Sequence, residues 1–117
     1  MKVVKTQEEL DKLERIDAGE EVVIKSALRL NCVLEVFGSL RIKAVLDCDR
    51  WNGRYIIARG NSSVVAWGNS SVEAWGNSSV VAWENSSVEA WENSSVVARG
   101  NSSVEAWGNS SVEAWRN

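Results

Sequence analysis

The chain has 117 residues, a formal charge of −3, an apolar fraction of 44% and no histidine. That is one domain's worth of foldable sequence, and without clustered Lys and Arg it is not built to grip a nucleic-acid backbone directly. No apolar run reaches the length of a signal peptide or a membrane span, so a cytoplasmic protein without membrane contact is expected, with Cys32 and Cys48 as free thiols.

Residues 1–20 read as an N-terminal capping helix. Thr6 followed by Gln7, Glu8 and Glu9 is a helix-start signal, and Leu10, Leu13 and Ile16 make an apolar stripe before Gly19. Residues 21–59 change to short apolar runs, 22–25, 27–30, 33–37 and 40–45, separated by small or polar residues. They predict irregular early β coils, over whose open edge the helix serves as a cap.

Residues 60–117 are an array of octapeptides: GNSSVVAW from Gly60, GNSSVEAW from Gly68, GNSSVVAW from Gly76, ENSSVEAW from Glu84, ENSSVVAR from Glu92, and GNSSVEAW from Gly100 and again from Gly108. A degenerate unit precedes them, with Ile56 and Ala58 in the Val and Ala columns and Trp51 in the tryptophan column. Eight residues are too few for a helical hairpin. Each unit therefore predicts one strand, Ser-Val-x-Ala-Trp, and one corner, Gly-Asn-Ser. The first corner position varies while Asn does not, which points to Asn as the residue at positive φ and to Asn columns that stack amide on amide.

Side-chain parity orients the strands. Glu73, Glu89, Glu105 and Glu113 cannot enter a dry core, so the Val and Ala of each unit point inward and the intervening residue points out. That outward position reads Val65, Glu73, Val81, Glu89, Val97, Glu105, Glu113. Its alternation predicts a sixteen-residue coil of two strands, with valines on one face and glutamates on the other. A twenty-four-residue triangular coil would mix them. The same period places Arg99 between Trp83 and Trp115, where its guanidinium can stack on indole rings.

Chemistry is sparse. Without histidine, neither a zinc site nor a His-based triad can be assembled, and the repeat serines have no Lys base beside them. Calcium-binding β-rolls need Asp in the turns, where this chain has Asn and Ser. The Asn-Ser-Ser sequons matter only in an exported chain. The expectation is a protein that is not an enzyme and uses no metal or cofactor.

The unit x-Asn-Ser-Ser-Val-(Val or Glu)-Ala-Trp resembles the octapeptide repeats of bacterial and phage proteins, a group generally without assigned function. The resemblance covers the repeats only and implies an all-β solenoid, or β-helix. Three functions fit such a surface. The first is a non-catalytic binding or scaffold protein that acts through a repetitive face and homodimerises. The second is an acidic-surface inhibitor of a nucleic-acid-binding protein, presenting Glu73, Glu89 and Glu105 as a DNA mimic or phage counter-defence protein does. The third is carbohydrate binding on Trp75, Trp91 and Trp107. Because the repeats run to Trp115, two residues short of Asn117, the final coil is expected to lack a cap. Val104, Ala106, Val112, Ala114 and Trp115 are then the candidate dimer interface.

Overall fold

A computed structural model describes residues 2–44, 46–49, 52–68 and 70–115, and the backbone but not the side chain of Trp115. The chain winds as a β-solenoid of stacked parallel strands with one short helix. The first coil holds β1 (Lys2–Val4), α1 (Gln7–Asp11) and β2 (Arg15–Ile16). Two three-strand coils follow, β3 (Glu21–Ile24), β4 (Leu28–Arg29) and β5 (Leu34–Val36), then β6 (Ser39–Ile42), β7 (Leu46–Asp47) and β8 (Ile56–Ala58). The octapeptides supply one strand each: β9 (Ser63–Ala66), β10 (Ser71–Ala74), β11 (Ser79–Ala82), β12 (Ser87–Ala90), β13 (Ser95–Arg99), β14 (Ser103–Ala106) and β15 (Ser111–Trp115).

Two sheets form the walls. One runs β1-β3-β6-β9-β11-β13-β15 and the other β14-β12-β10-β8-β5-β2, while β4 and β7 make a third side in the early coils alone. In the repeats Ser79 pairs with Ser95 and Val72 with Val88, each sixteen residues on. The coil is therefore two-stranded, as the alternation at the variable position predicts. Val65, Val81 and Val97 share one register line, and Glu73, Glu89 and Glu105 share another on the opposite wall.

The core is a column of small side chains. Val64, Ala66, Val72, Ala74, Val80, Ala82, Val88, Ala90, Val96 and Ala98 are all buried. Each buried Val contributes about 1.5–3 kcal/mol, and only stacked neighbours supply that burial. The early coils fill their wider section with Ile24, Leu30, Leu34, Leu40, Ile42, Leu46 and Ile56.

Three expectations are corrected. The helix ends at Asp11, and the residues on either side of it are strands, with Ile16 buried in β2 rather than on a helical stripe. Residues 2–20 thus form a whole coil in which α1 takes the place of the third-side strand, beside β4, rather than a cap over the edges of β1 and β2, which have no further strand neighbour among the described residues. Second, the residue at positive φ is the first of each unit, Gly60, Gly68, Gly76, Gly100 and Gly108, and not the Asn. Third, the repeat asparagines with described side chains are exposed, and none is hydrogen-bonded to the next among the described residues. What Asn77 and Asn93 do contribute is the backbone N–H, donated to the carbonyls of Gly60 and Gly76 one coil below.

Glu84 and Glu92 must adopt the same left-handed corner, with φ of 60° and 62°. A side chain there costs about 1–2 kcal/mol, part of which returns because glycine is freer in the unfolded chain. Glu84→Gly and Glu92→Gly are each expected to stabilise the protein by about 0.5–1 kcal/mol, read as a higher denaturation midpoint. Destabilisation by either would mean that the carboxylate makes a compensating contact at the corner.

Candidate functional site

The two ends of the solenoid differ. At the N-terminal end Val4 and Ile16 are 0% exposed, in one core cluster with Leu10 and Leu13. Thr6 fixes α1 with a capping box: Glu9 N–H donates to Thr6 Oγ1 at 3.2 Å and Thr6 N–H donates to Glu9 Oε1 at 3.1 Å. Gln7 then acts as a strand neighbour for β4, since its Nε2 donates to the Arg29 carbonyl at 2.6 Å and its Oε1 accepts from Arg29 N–H at 2.9 Å. Asp11 accepts from Asn31 and Gln7, and those bonds hold its carboxyl below the usual range.

At the C-terminal end the same columns are bare. Val112 is 41% exposed, Ala106 and Ala114 are exposed, and Val104 is half-buried. The outer backbone edges of β14 and β15 have no strand neighbour among the described residues. Four of the five candidate interface residues thus lie together on one end. For the fifth, the Trp115 side chain, the assignment falls outside the described residues.

The tryptophans form ladders. Trp67 lies on Trp83 with centroids 4.8 Å apart and planes at 4°, Trp75 on Trp91 at 4.9 Å and 5°, and Trp91 on Trp107 at 5.3 Å and 11°. The Arg99 guanidinium continues the first ladder, 4.8 Å from the Trp83 ring centroid. Its predicted second stack, on Trp115, and the place of Trp51 in the ladder fall outside the described residues. Trp91 is stacked on both faces and presents its edges to solvent, whereas Trp75 has one face on Trp91. Trp107, 51% exposed, keeps one ring face open at the top of its stack.

On the wall that carries Glu73, Glu89 and Glu105, a shallow groove of about 840 Å³ runs along Ser71, Ser87 and Ser103, with Cys48 and Asp49 at one end and Glu89 and Glu105 along it. Glu73 accepts from Trp75 Nε1 at 3.2 Å. Burial pushes the Cys48 thiol up to about 11 and also raises that of Cys32, so both remain protonated at neutral pH and are poor nucleophiles. Both cysteines are free. Among the described residues no group of three or more His, Cys, Asp or Glu side chains is placed to hold a metal ion, and no helix is long and apolar enough to cross a membrane.

Sequence reasoning missed the first serine of each triplet. Ser62, Ser70, Ser78, Ser86 and Ser94 are buried, whereas the second serine lies on the outer face of its strand. The invariance of Asn-Ser-Ser marked both serines equally, but the parity that turns each Val inward turns the second serine outward and so pointed to the first. The chain matches no protein-family model, no curated protein and no solved structure.

Proposed function

We propose that the protein is a non-catalytic scaffold in which two copies join through their open C-terminal coils, fixing two repetitive faces in one rigid body. The observation that carries this reading is the contrast between ends, with Val4 and Ile16 fully covered and Val112 41% exposed. An open coil edge is a template for another strand. Junctions within the repeat array join Ser to Ser, Val to Val and Ala to Ala in parallel, and a second copy brings the same small apolar residues to the open end, there in antiparallel register with Val against Ala. At the N-terminal end β1 and β2 are edge strands too, but the apolar columns there are closed, and this contrast in apolar exposure favours pairing of the two open C-terminal ends in a closed two-fold. A cytoplasmic location and a further protein partner on the repetitive faces belong to the same reading.

Substitution separates the end from the valine face. Val112→Lys with Ala114→Lys is expected to give monomers in sedimentation velocity at high micromolar concentration, while Val65→Lys with Val81→Lys leaves the dimer intact. The opposite pattern would assign the dimer to the face built from Val65, Trp67, Val81 and Trp83. A monomeric unmodified protein would overturn the reading.

The acidic-inhibitor reading draws on a specific feature, the in-register carboxylates of Glu73, Glu89 and Glu105. It requires a basic partner whose binding weakens steeply with salt. Carbohydrate binding draws less support, because the ladder covers both ring faces of Trp91 and one face each of Trp75 and Trp107.

A further inference from the structure

We infer that the Glu105 and Glu113 carboxylates gate the end-to-end pairing by charge, an inference that rests on the dimer proposed above. The argument is one of symmetry. Within the chain all strand pairing in the two walls is parallel, and β14 and β15, on opposite walls of a flat coil, run in opposite directions. A two-fold axis that sets one C-terminal end on another lies across the stacking direction and reverses the strands. The junction is therefore antiparallel, unlike every junction between coils of the repeat array.

Two placements of the axis are open. One sets β14 on β14 and β15 on β15 of the two copies, and the other sets β14 on β15 twice. Each Ser-Val-Glu-Ala-Trp strand is centred on its glutamate, Glu105 in residues 103–107 and Glu113 in residues 111–115. The register that pairs all five residues then puts carboxylate opposite carboxylate in either placement. In the first, Glu105 faces the partner's Glu105 and Glu113 faces the partner's Glu113. In the second, Glu105 faces the partner's Glu113 at both junctions. Opposite residues stand roughly 5 Å apart at Cβ, and like charges at that spacing repel.

The inward side has no such conflict. The same registers bring Val104 and Val112 against alanines of the other copy, large against small. Apolar fit and charge thus oppose each other at one junction. Inside the chain the Glu73, Glu89 and Glu105 stack persists because the strands are covalently joined. A contact between two separate molecules has no such tether. Glu105 also has Glu89 in register below it, whereas Glu113 has Val97, so Glu105 carries the heavier repulsion.

Sedimentation equilibrium on the full chain tests the gate. Raising NaCl from about 0.02 M to about 0.5 M shortens the screening length to a few Å and is expected to tighten the dimer about fivefold. Glu105→Gln with Glu113→Gln should reach that affinity at low salt and lose the salt response. The two single variants tell the placements apart: a larger gain with Glu105→Gln indicates like on like, and a gain with Glu113→Gln that equals or exceeds it indicates β14 on β15. A dimer that Val112→Lys with Ala114→Lys dissolves, yet that salt loosens or leaves unchanged, overturns the gate and leaves the end-to-end pairing standing. Monomers under every condition, the Gln variants included, overturn both.

Discussion

Gly38→Ala is expected to destabilise the protein by about 3 kcal/mol, a shift large enough to read directly as a fall in the chemical denaturation midpoint. Gly38 joins β5 to β6, and a Cβ built on it would overlap the carbonyl oxygens of Asp17 and Glu20 in the turn one coil below. Neither side can move away freely. Phe37 N–H donates to Ile16 O at 2.7 Å and Ser39 N–H donates to Glu20 O at 2.9 Å, so the segment is bonded to the preceding coil immediately before and after the glycine. The Asp17–Glu20 turn is closed by its own hydrogen bond, Glu20 N–H to Asp17 O at 3.0 Å. A methyl group must therefore separate two coils and break ladder bonds, in the part of the solenoid that also holds α1 in place. Gly60→Ala is the comparison. Its Cβ would meet nothing within 4 Å, and only its φ of 65° opposes the change, so a loss of about 1 kcal/mol is expected. Equal losses at the two positions would show that close approach of the backbones at Gly38 is not what demands glycine.

The repeat array was legible because its period is short and its variation is patterned. The Val and Glu alternation at the outward position yields the two-strand coil, since only a sixteen-residue turn separates Val65, Val81 and Val97 from Glu73, Glu89 and Glu105. The corner was misread for a physical reason. Glu84 and Glu92 made the first position look tolerant, whereas they are side chains held in a left-handed conformation that glycine meets without strain. The helix was overextended because Leu10, Leu13 and Ile16 fit a helical stripe, while coil geometry requires Ile16 to enter β2 and register with Val36. A narrow apolar stripe cannot by itself distinguish the two.

Surfaces were less legible than the core, because a sequence gives the parity of a side chain but not what covers it. Tryptophan outward parity is compatible both with an open aromatic face and with rings that cover one another along the stack. Stacking at 4.8–5.3 Å turns the same rings into covers for one another, which leaves both faces of Trp91 unavailable and makes the ladders a stabilising edge of the solenoid.

Adjacent serines of one triplet should behave as different residues: Ser86→Ala is expected to cost about 2 kcal/mol and Ser87→Ala less than about 0.5 kcal/mol. Ser86 is 0% exposed, and its hydroxyl lies 2.9 Å from the Trp83 carbonyl and 2.8 Å from the Gly68 carbonyl. Its single proton is shared between an acceptor in its own corner and one in the coil below. Ser102 repeats the arrangement with the carbonyls of Arg99 and Glu84, at 2.8 Å each, and Ser110 with those of Trp107 and Glu92, at 2.8 and 3.2 Å. The column thus links successive corners where the backbone turns and the strand ladder is interrupted. Alanine keeps the volume nearly unchanged, so the loss measures buried carbonyls deprived of a donor rather than a cavity. Ser87 sits one residue later on an exposed outward position of β12, where water replaces whatever its hydroxyl bonds. The pair is a close control because the same Ser→Ala exchange is made one residue apart, once in the corner and once at the start of β12. If both variants unfold at the same denaturant concentration, the corner carbonyls must already be satisfied without the serine, and the invariant first serine of the repeat would lose its structural explanation.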